Sequence, residues 1–320
     1  MQPAVRGGSG KGAIVAKKRP AHARRRSRTG GAAAPPLPAG LKEAKLRDLR
    51  AALRLSREPG WNQVAADWRL MLDVGDSFGV ATENGKLVAS GLTVPFGRPF
   101  GWISMILVTS AFRRRGLATH LMGRCIAALR TRGLVPALDA TPGGRTVYRS
   151  LGFKDVYRIT RFVADAPHLP RKPLPAGLEL RRMGAGHIPA VVRYDAPIFG
   201  ADRAFMLKHL RARRPGRAFI ALRDAKICGY VLARDGRASA QIGPLVAEDG
   251  VTALALLSRA IGSNSGPLCI DLLDRHRGIA KELTAHGFIP LLPFIRMIYR
   301  RSQPFDDVRR VFSIAGPELG

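Results

Sequence analysis

The sequence predicts an α/β (α+β) protein made of two similar halves, each a mixed, mainly antiparallel sheet flanked by helices. The apolar run at residues 103–108 predicts a strand that leads through a basic, glycine-containing loop into an amphipathic helix. Asn84-Gly85 predicts a tight hairpin between two further strands. Gly152-Phe153 recurs late in the chain as Gly287-Phe288, which indicates that a second copy of the fold follows the first.

The chain has 320 residues and therefore room for two domains. We predict a first domain at residues 41–165, a semi-rigid linker at residues 166–176 and a second domain at residues 177–320. The linker is identified by its spaced prolines: Pro167, Pro170, Pro173 and Pro175.

Residues 1–40 are predicted to form a disordered basic tail, because they are rich in Lys, Arg, Gly, Ala and Pro and have no periodic apolar face. A polyanion-binding arm, an organelle-type presequence and a start codon placed too far upstream all stay open as explanations of this tail. We favour the last, because nothing downstream needs the tail.

The composition has a formal net charge of +30 together with 46% hydrophobic residues. No apolar run approaches the ~18 residues of a membrane span, so we expect a cytoplasmic protein with no membrane partner. The charge is weak evidence for nucleic acid, because no zinc-finger, basic-zipper or aromatic RNA-binding signature accompanies it. Cys125, Cys228 and Cys269 lie far apart in apolar segments, so we expect reduced core cysteines and no metal.

The first domain shows a regular order of elements. Apolar spacing predicts a helix at residues 46–55 and a second helix opening at Trp61-Asn62, with Asn62 as N-cap and Trp68 in its buried stripe. The remaining predicted elements are strands at residues 78–82, 87–95 and 100–108, a helix at 119–129, a strand at 135–140, a helix at 145–151 and a strand at 153–162.

The second domain repeats part of this order. It has predicted strands at residues 218–222 and 226–232 and a predicted helix at 253–261. At the offset of the Gly-Phe repeat, Arg296 matches Arg161 and Asp274 matches Asp139.

The basic loop of the first domain is absent from the second. Glu248 and Asp249 fall at its place, where two carboxylates would repel a phosphate, and Leu283 replaces Tyr148. The second domain is therefore predicted to be a structural repeat.

The loop at residues 113–118 carries the clearest chemical signal. It lies where a helix begins, so backbone N–H groups lack intrahelical partners and the helix dipole is positive. Gly116 and Ala118 have small side chains that leave the backbone accessible to a ligand. Positive charge comes from Arg113, Arg114 and Arg115. These features predict a pyrophosphate site.

The same residues resemble the acyl-CoA signature of the GNAT acyltransferase superfamily: Val108, Arg113, Gly116 and Ala118 match its spacing. Tyr148 with Gly152-Phe153 resembles the superfamily's Tyr-x-x-x-Gly-Phe ending. The segment from Glu58 to Asn62, with Trp68 and the closing residues 311–320, resembles a bacterial branch with two GNAT folds in tandem, the second degenerate. The chain departs from the pattern at residues 141–144, where many members carry Asn and Ala.

This resemblance implies an N-acetyltransferase that moves an acetyl group from acetyl-CoA to a primary amine of a small molecule or peptide, directly within a ternary complex and without a covalent enzyme intermediate. Tyr148 would protonate the leaving thiolate, and packing is its alternative role. The residues expected to hold acetyl-CoA are Ile106, Leu107, Val108, Arg113, Arg114, Arg115, Gly116, Leu117, Ala118 and Thr119.

The acceptor side is less defined. Trp61, Asn62, Trp68 and Asp139 are candidate substrate-binding residues, with core packing as the alternative for the two tryptophans. Asp139 or Ser104 is a candidate base acting through water. His120 and Cys125 are weaker catalytic candidates. The second domain is expected to close part of the acceptor pocket, with Tyr194, Asp195 and Asp202 facing a cationic substrate or, for the aspartates, capping helices.

Two other classes of function stay open. One is a non-catalytic acyl-CoA-binding sensor or assembly subunit, which would bind CoA without turnover. The other is a polyanion- or nucleic-acid-binding protein, which only the charge suggests and which salt-sensitive DNA binding would identify. A homo-oligomer also stays open.

Overall fold

The computed structural model describes residues 34–46, 48–262 and 266–320. The described strands are β1 (Leu41–Ala44), β2 (Ser77–Thr82), β3 (Leu87–Pro95), β4 (Phe100–Val108), β5 (Val135–Ala140), β6 (Phe153–Ala164), β7 (Leu178–Arg182), β8 (Phe219–Arg223), β9 (Lys226–Arg234), β10 (Ala240–Ala247), β11 (Leu268–Leu273), β12 (Ile289–Tyr299) and β13 (Val311–Ser313). The described α-helices are α1 (Leu49–Arg57), α2 (Ala65–Val74), α3 (Leu117–Thr131), α4 (Pro142–Ser150), α5 (Ile188–Phe199), α6 (Ala204–Arg213), α7 (Gly250–Ile261) and α8 (Arg277–Ala285).

These strands form one 13-stranded sheet in the order β1-β2-β3-β4-β5-β12-β6-β11-β13-β10-β9-β8-β7. The pairings β4–β5 and β10–β11 are parallel, while the other strand pairs are antiparallel. The predicted mixed, mainly antiparallel α/β fold is confirmed. The two parallel pairs hold equivalent places in the two halves, which is the structural form of the repeat seen in the sequence.

The two halves exchange their final strands. Strand β12 comes from the second half but pairs with β5 of the first, and β6 comes from the first half but pairs with β11 of the second. The exchanged strands also pair with each other. The predicted domains at residues 41–165 and 177–320 therefore share one sheet. That each domain is a separate folding unit stays a prediction.

The predicted elements of the first half agree closely with the structure at β3, β4 and β5. The predicted start of α2 was wrong: α2 begins at Ala65, and its N-cap is Val64 rather than Asn62. The reason is tertiary, because the Asn62 side chain donates to Ser239 O at 2.9 Å and accepts from Ala238 N at 2.8 Å. Asn62 thus ties the loop before α2 to the loop between β9 and β10.

The internal repeat also has a different register from the one predicted. Arg296 lies opposite Asp139 on β5, and Arg161 lies opposite Asp271 on β11. The match of Asp274 with Asp139 is therefore wrong, because the connection between β11 and α8 is longer than the one between β5 and α4 and shifts the repeat at that point. Asp274 instead follows β11 and accepts a hydrogen bond from Thr160.

The structure describes only the last residues of the predicted N-terminal tail. The predicted tail falls mostly on residues 1–33, which lie outside them. Residues 34–40 lie against α3, where Pro35 O is 2.6 Å from His120 Nδ1 and Leu37 packs beside Leu121. Across residues 34–46, 48–262 and 266–320, no helix is long and apolar enough to cross a membrane.

Candidate active site

The candidate site opens where two neighbouring parallel strands diverge. Strands β4 and β5 pair from Phe100 opposite Val135 to Trp102 opposite Ala137. Beyond that point a cavity of about 110 Å³ lies between them. Its lining comes from β4, β5 and α4 of the first half, the loop before α2, the exchanged strands β6 and β12, and residues 317–318. Both halves therefore build this cavity.

Strand β4 carries a β-bulge at the cavity. Gly91 on β3 lies opposite two β4 residues, Met105 and Ile106. Met105 has φ 53°, a left-handed conformation that is strained for a side chain of this kind. Ser90 Oγ donates to Met105 O at 2.8 Å and holds the bulge. A Cβ on Gly91 would come within 2.9 Å of Ile106 Cδ1, so the bare glycine makes room for the bulged strand.

The basic loop presents free backbone N–H groups at the start of α3. Arg114 and Gly116 have φ 61° and 79°, so the chain turns through two left-handed residues before the helix begins. In the described part of the chain no side chain caps the α3 N-terminus at Gly116. A Cβ at Gly116 would meet nothing within 4 Å, so the concavity is open. This geometry fits a pyrophosphate group.

The loop is anchored at both sides. Arg113 Nε donates to Val108 O at 3.2 Å, which ties the loop to the end of β4. Glu58 Oε1 accepts from Ser110 N at 2.6 Å. That hydrogen bond, with Arg113 nearby, lowers the pKa of the Glu58 carboxyl below its ordinary value. The loop conformation is therefore fixed by its neighbours.

The predicted cofactor-binding residues lie together along β4, the loop and the first turn of α3. Leu107 and Leu117 are buried, so only their backbones can face a ligand. The exposed members are Arg113, Arg114, Arg115 and Gly116, and the half-buried members are Ile106, Val108, Ala118 and Thr119.

The equivalent position in the second half is blocked. Asp249 is the N-cap of α7, and its Oδ1 accepts from Thr252 N at 2.7 Å. The carboxylate thus already occupies the place where a phosphate would accept from the helix, and Arg223 lies 3.1 Å from it. Leu283, in the place of Tyr148, is fully buried.

Tyr148 on α4 lines the cavity. A Cβ on Gly144 would lie 2.8 Å from the Tyr148 ring, so the glycine one turn earlier leaves space for the aromatic side chain. Burial raises the pKa of the Tyr148 hydroxyl to about 12, and the nearby Cys125 thiol contributes. Tyr148 is therefore protonated at neutral pH and able to donate a proton. The same burial is compatible with a packing role.

Asp139 lines the cavity but is already paired. Arg296 Nε and Nη2 donate to its two oxygens, each at 2.8 Å. Burial raises the pKa of the Asp139 carboxyl, while Arg296 opposes that rise. Two charge-assisted bonds at 2.8 Å are the geometry of an ionised pair. The arrangement favours a structural role over that of a base.

Of the other acceptor-side candidates, some line the cavity and one is buried in the core. Trp61 and Asn62 line the cavity, although the Asn62 amide is engaged by the β9–β10 loop. Trp68 does not: it is fully buried, and its indole N–H donates to Ser56 Oγ at 3.2 Å. Ser104 lines the cavity and its hydroxyl lies 3.4 Å from Met71 Sδ.

The weaker catalytic candidates have structural partners. His120 is buried, with Nε2 3.1 Å from Glu43. Cys125 is fully buried, and burial raises the pKa of its thiol, which disfavours a thiolate nucleophile.

The polar residues proposed in the second domain lie away from the cavity lining. Asp195 is buried and takes two bonds from Arg203, at 2.7 and 2.8 Å, and one from the Tyr230 hydroxyl at 2.6 Å. Asp202 Oδ1 accepts from Ala204 N at the start of α6, which is the capping alternative. Tyr194 packs against the core of α1, α2, α5 and α6.

The structure adds cavity residues that the sequence did not indicate. Gln63, Arg161 and Glu318 line it, from the loop before α2, from β6 and from the segment after β13. Only the strand exchange brings these distant segments together, so no local pattern reveals them. Within residues 34–46, 48–262 and 266–320, no group of three or more His, Cys, Asp or Glu side chains is placed to hold a metal ion.

Comparisons with known proteins place each half with acetyltransferases. Residues 44–153 match a model described as the acetyltransferase (GNAT) family, and residues 191–313 match a second described as an acetyltransferase (GNAT) domain. The uncharacterized N-acetyltransferase YitH of Bacillus subtilis (strain 168) is 24% identical over 237 residues, which cover 74% of this chain and 83% of that protein.

Two solved structures share the fold of both halves. A candidate acetyltransferase from Pyrococcus horikoshii superposes with a TM-score of 0.71 at 20% identity, covering 88% of this chain and 96% of that one. A tandem GNAT protein from the clavulanic acid biosynthesis pathway superposes with a TM-score of 0.55 at 18% identity, covering 81% of this chain and 98% of that one.

Proposed function

This chain belongs to the GNAT acetyltransferase superfamily and carries two GNAT domains in tandem, and we propose that its first domain transfers an acetyl group from acetyl-CoA to a primary amine of a small molecule or peptide. The observation that carries the proposal is the uncapped, left-handed turn at Gly116 beside the cavity between β4 and β5. The proposed pyrophosphate site thus follows β4 in the chain, and β4 lines the cavity that also contains Tyr148.

The residues present fit acetyl-CoA. The backbone N–H groups of residues 114–119 would bind the pyrophosphate, and Arg113, Arg114 and Arg115 would add charge around it. The edge of β4 from Ile106 to Val108 would pair with the extended pantetheine arm. Acetyl-CoA supplies the activated acetyl thioester, so the protein needs no metal for this chemistry.

Tyr148 is the proposed general acid. Its raised pKa of about 12 keeps the hydroxyl protonated over the whole neutral range. The half-buried Tyr148 side chain lines the cavity, where its hydroxyl can donate a proton to a developing thiolate. Because Asp139 is engaged by Arg296, it is not the proposed base. The acceptor amine would lose its proton to solvent or to another group.

The second domain is proposed to shape the acceptor side. It contributes Leu292 and Phe294 of β12 and residues 317–318 to the cavity. Its own α7 N-terminus is closed by Asp249. We therefore propose one acetyl-CoA per chain, bound in the first domain, and a cytoplasmic enzyme whose acceptors are small cationic amines or peptides.

The test is a CoA-thiol release assay with the full chain over a panel of alkyl amines, aminoglycosides and peptides, combined with calorimetric titration of acetyl-CoA. Binding together with amine-dependent release supports the proposal. Binding without release from any acceptor would support the sensor alternative. Absence of acetyl-CoA binding would overturn the site assignment.

A further inference from the structure

Two residues of the cavity lining each have a buried side-chain oxygen atom without a hydrogen-bond partner. Gln63 and Glu318 are 6% and 3% exposed, and both line the cavity. Among the residues that the structure describes, Gln63 Oε1 and Glu318 Oε2 accept no hydrogen bond. One lies in the loop before α2 and the other in the segment after β13, so the two halves of the protein each contribute one.

Buried polar atoms in folded proteins are nearly always hydrogen-bonded, because leaving one unpaired loses its hydration without replacement. For a carboxylate oxygen the loss is larger. Two such atoms, on residues that line one cavity, point to a ligand whose hydrogen-bond donors complete them. Both atoms are acceptors, so the ligand must supply N–H or O–H groups.

Glu318 is held in place by Arg234 through one of its two oxygens. Arg234 on β9 donates to Glu318 Oε1, and the same guanidinium pairs with the buried Asp67 of α2. Arg234 also donates to Gln241 Oε1 at 2.8 Å. Arg213 also donates to Asp67 at 2.8 Å, and Glu318 Oε2 keeps no hydrogen-bond partner among the described residues.

The other charged groups of the cavity are already satisfied. Both oxygens of Asp139 are taken by Arg296. Arg161 donates from Nε and Nη2 to Asp271, each at 2.7 Å. Glu318 is thus the carboxylate of the lining that keeps an oxygen available.

We propose that Glu318 and Gln63 bind the primary ammonium group of the acceptor, with Glu318 Oε2 and Gln63 Oε1 accepting two of its N–H bonds. This assignment rests on the proposed acetyltransfer and specifies the substrate class. A primary ammonium has three donors and a positive charge, and it matches one charged and one neutral acceptor. An alcohol lacks the charge, and a quaternary ammonium lacks the donors, so both are excluded.

The main test uses the full chain and the variant Glu318→Gln, which keeps an oxygen for Arg234 and removes the charge. The KM of the best amine of the panel is expected to rise about ten- to hundredfold, the range of a lost hydrogen bond to a charged group. The dissociation constant of acetyl-CoA should stay at the parent value. Glu179→Gln, the same change at an exposed pair with Arg181, is the matched control and should alter neither.

A second readout needs no activity. Butylammonium chloride should raise the thermal unfolding midpoint of the CoA-bound parent protein above that in equal tetramethylammonium chloride or butanol. Glu318→Gln should abolish this difference. Unaltered amine KM together with an unaltered butylammonium shift would overturn the assignment. If no acceptor gives CoA release, the proposed reaction is wrong. The change in unfolding midpoint with butylammonium still tests whether Glu318 binds an ammonium group.

Gln63→Leu provides a second test in case Glu318→Gln fails to fold, because it leaves the Arg234–Glu318 pair intact. We expect a rise in amine KM of roughly five- to tenfold, smaller than at Glu318 because a neutral acceptor is lost. A Gln63→Leu protein with the parent KM and the parent butylammonium shift would remove Gln63 from the site and overturn the two-residue assignment.

Discussion

Asp139 on β5 and Arg296 on the exchanged strand β12 form a two-point ion pair, with both bonds at 2.8 Å. Arg161 and Asp271 repeat the arrangement across β6 and β11, with both bonds at 2.7 Å. Each pair joins one half of the chain to the other. The strand exchange is therefore secured by two equivalent ion pairs, and each pair contributes one residue, Asp139 or Arg161, to the cavity lining.

Asp139→Asn should lower the free energy of unfolding by about 3–5 kcal/mol, because it leaves the Arg296 guanidinium buried with a weaker partner. Asp306, 3.6 Å away, compensates only in part. Urea unfolding followed by circular dichroism measures the change. Asp274→Asn is the control, since Asp274 is half-exposed and 3.8 Å from Arg158, and it should cost less than about 1 kcal/mol. Equal effects of the two changes would contradict a supporting role for the Asp139–Arg296 pair.

Gly116→Glu should abolish acetyl-CoA binding while the fold survives, because the new carboxylate would repel the pyrophosphate. Space is not the obstacle, since a Cβ there meets nothing within 4 Å. Gly116→Ala is the matched control: it imposes the same strain at φ 79°, roughly 1–2 kcal/mol, without the charge. Isothermal titration calorimetry should show weakened binding for Ala and none for Glu. Retained affinity in Gly116→Glu would place the pyrophosphate elsewhere.

Tyr148→Phe should reduce turnover by ~10²–10⁴-fold with little change in acetyl-CoA affinity, because the hydroxyl acts only as the thiolate leaves. The pKa of about 12 is above the ordinary value of a tyrosine, so the acid form persists as pH rises. The parent kcat should therefore show no alkaline decline below about pH 10. Stopped-time assays from pH 7 to 10 test both points, and parental turnover in Tyr148→Phe would make Tyr148 a packing residue.

Acetyl-CoA should bind at one site per chain. In the second half Asp249 caps the α7 N-terminus through Thr252 N at 2.7 Å, so its carboxylate takes the place of a phosphate. Calorimetric titration of the full chain should give a stoichiometry near one. A value near two would show that Asp249 yields to the ligand, and Asp249→Gly would then be expected to tighten the second site.

Cutting the linker should leave the two halves together. Strand pairs β5–β12 and β6–β11 join them by hydrogen bonds in addition to the linker itself. A protease site introduced between Pro173 and Leu174, which are both exposed, allows the cut after folding. The fragments should co-elute in size exclusion and keep acetyl-CoA binding. Separation without denaturant would show that the exchange contributes little to cohesion.

Local patterns were sufficient for much of the fold and for the form of the loop that we propose binds the cofactor. The limits of β4 and β5 follow from apolar runs bounded by glycine and polar turns, and the loop at Gly116 follows from its position between strand and helix. These features depend on residues that are neighbours in sequence. The same is true of Tyr148, which lies shortly after β5 on α4.

The acceptor side could not be predicted, because its parts meet only through non-local pairing. Nothing in the sequence around β12 indicates that it pairs with β5 rather than with its own half. Glu318 and Gln63 are ordinary polar residues in their local segments, and their significance comes from burial in a shared cavity. Asn62 was misassigned as a helix cap for a similar reason, since its partners lie in the β9–β10 loop.

The position of β12 also sets an order of events during synthesis. When residues 41–164 have left the ribosome, β5 and β6 still lack the strand that separates them in the finished sheet, because residues 289–299 have yet to be made. The cavity wall formed by β12 and by Glu318 is therefore added after the loop at residues 113–118, the proposed phosphate site, has been made. A nascent or prematurely ended chain would thus be able to assemble the cofactor loop without an acceptor pocket. The protein gains its proposed activity only after β12 and Glu318 have been made.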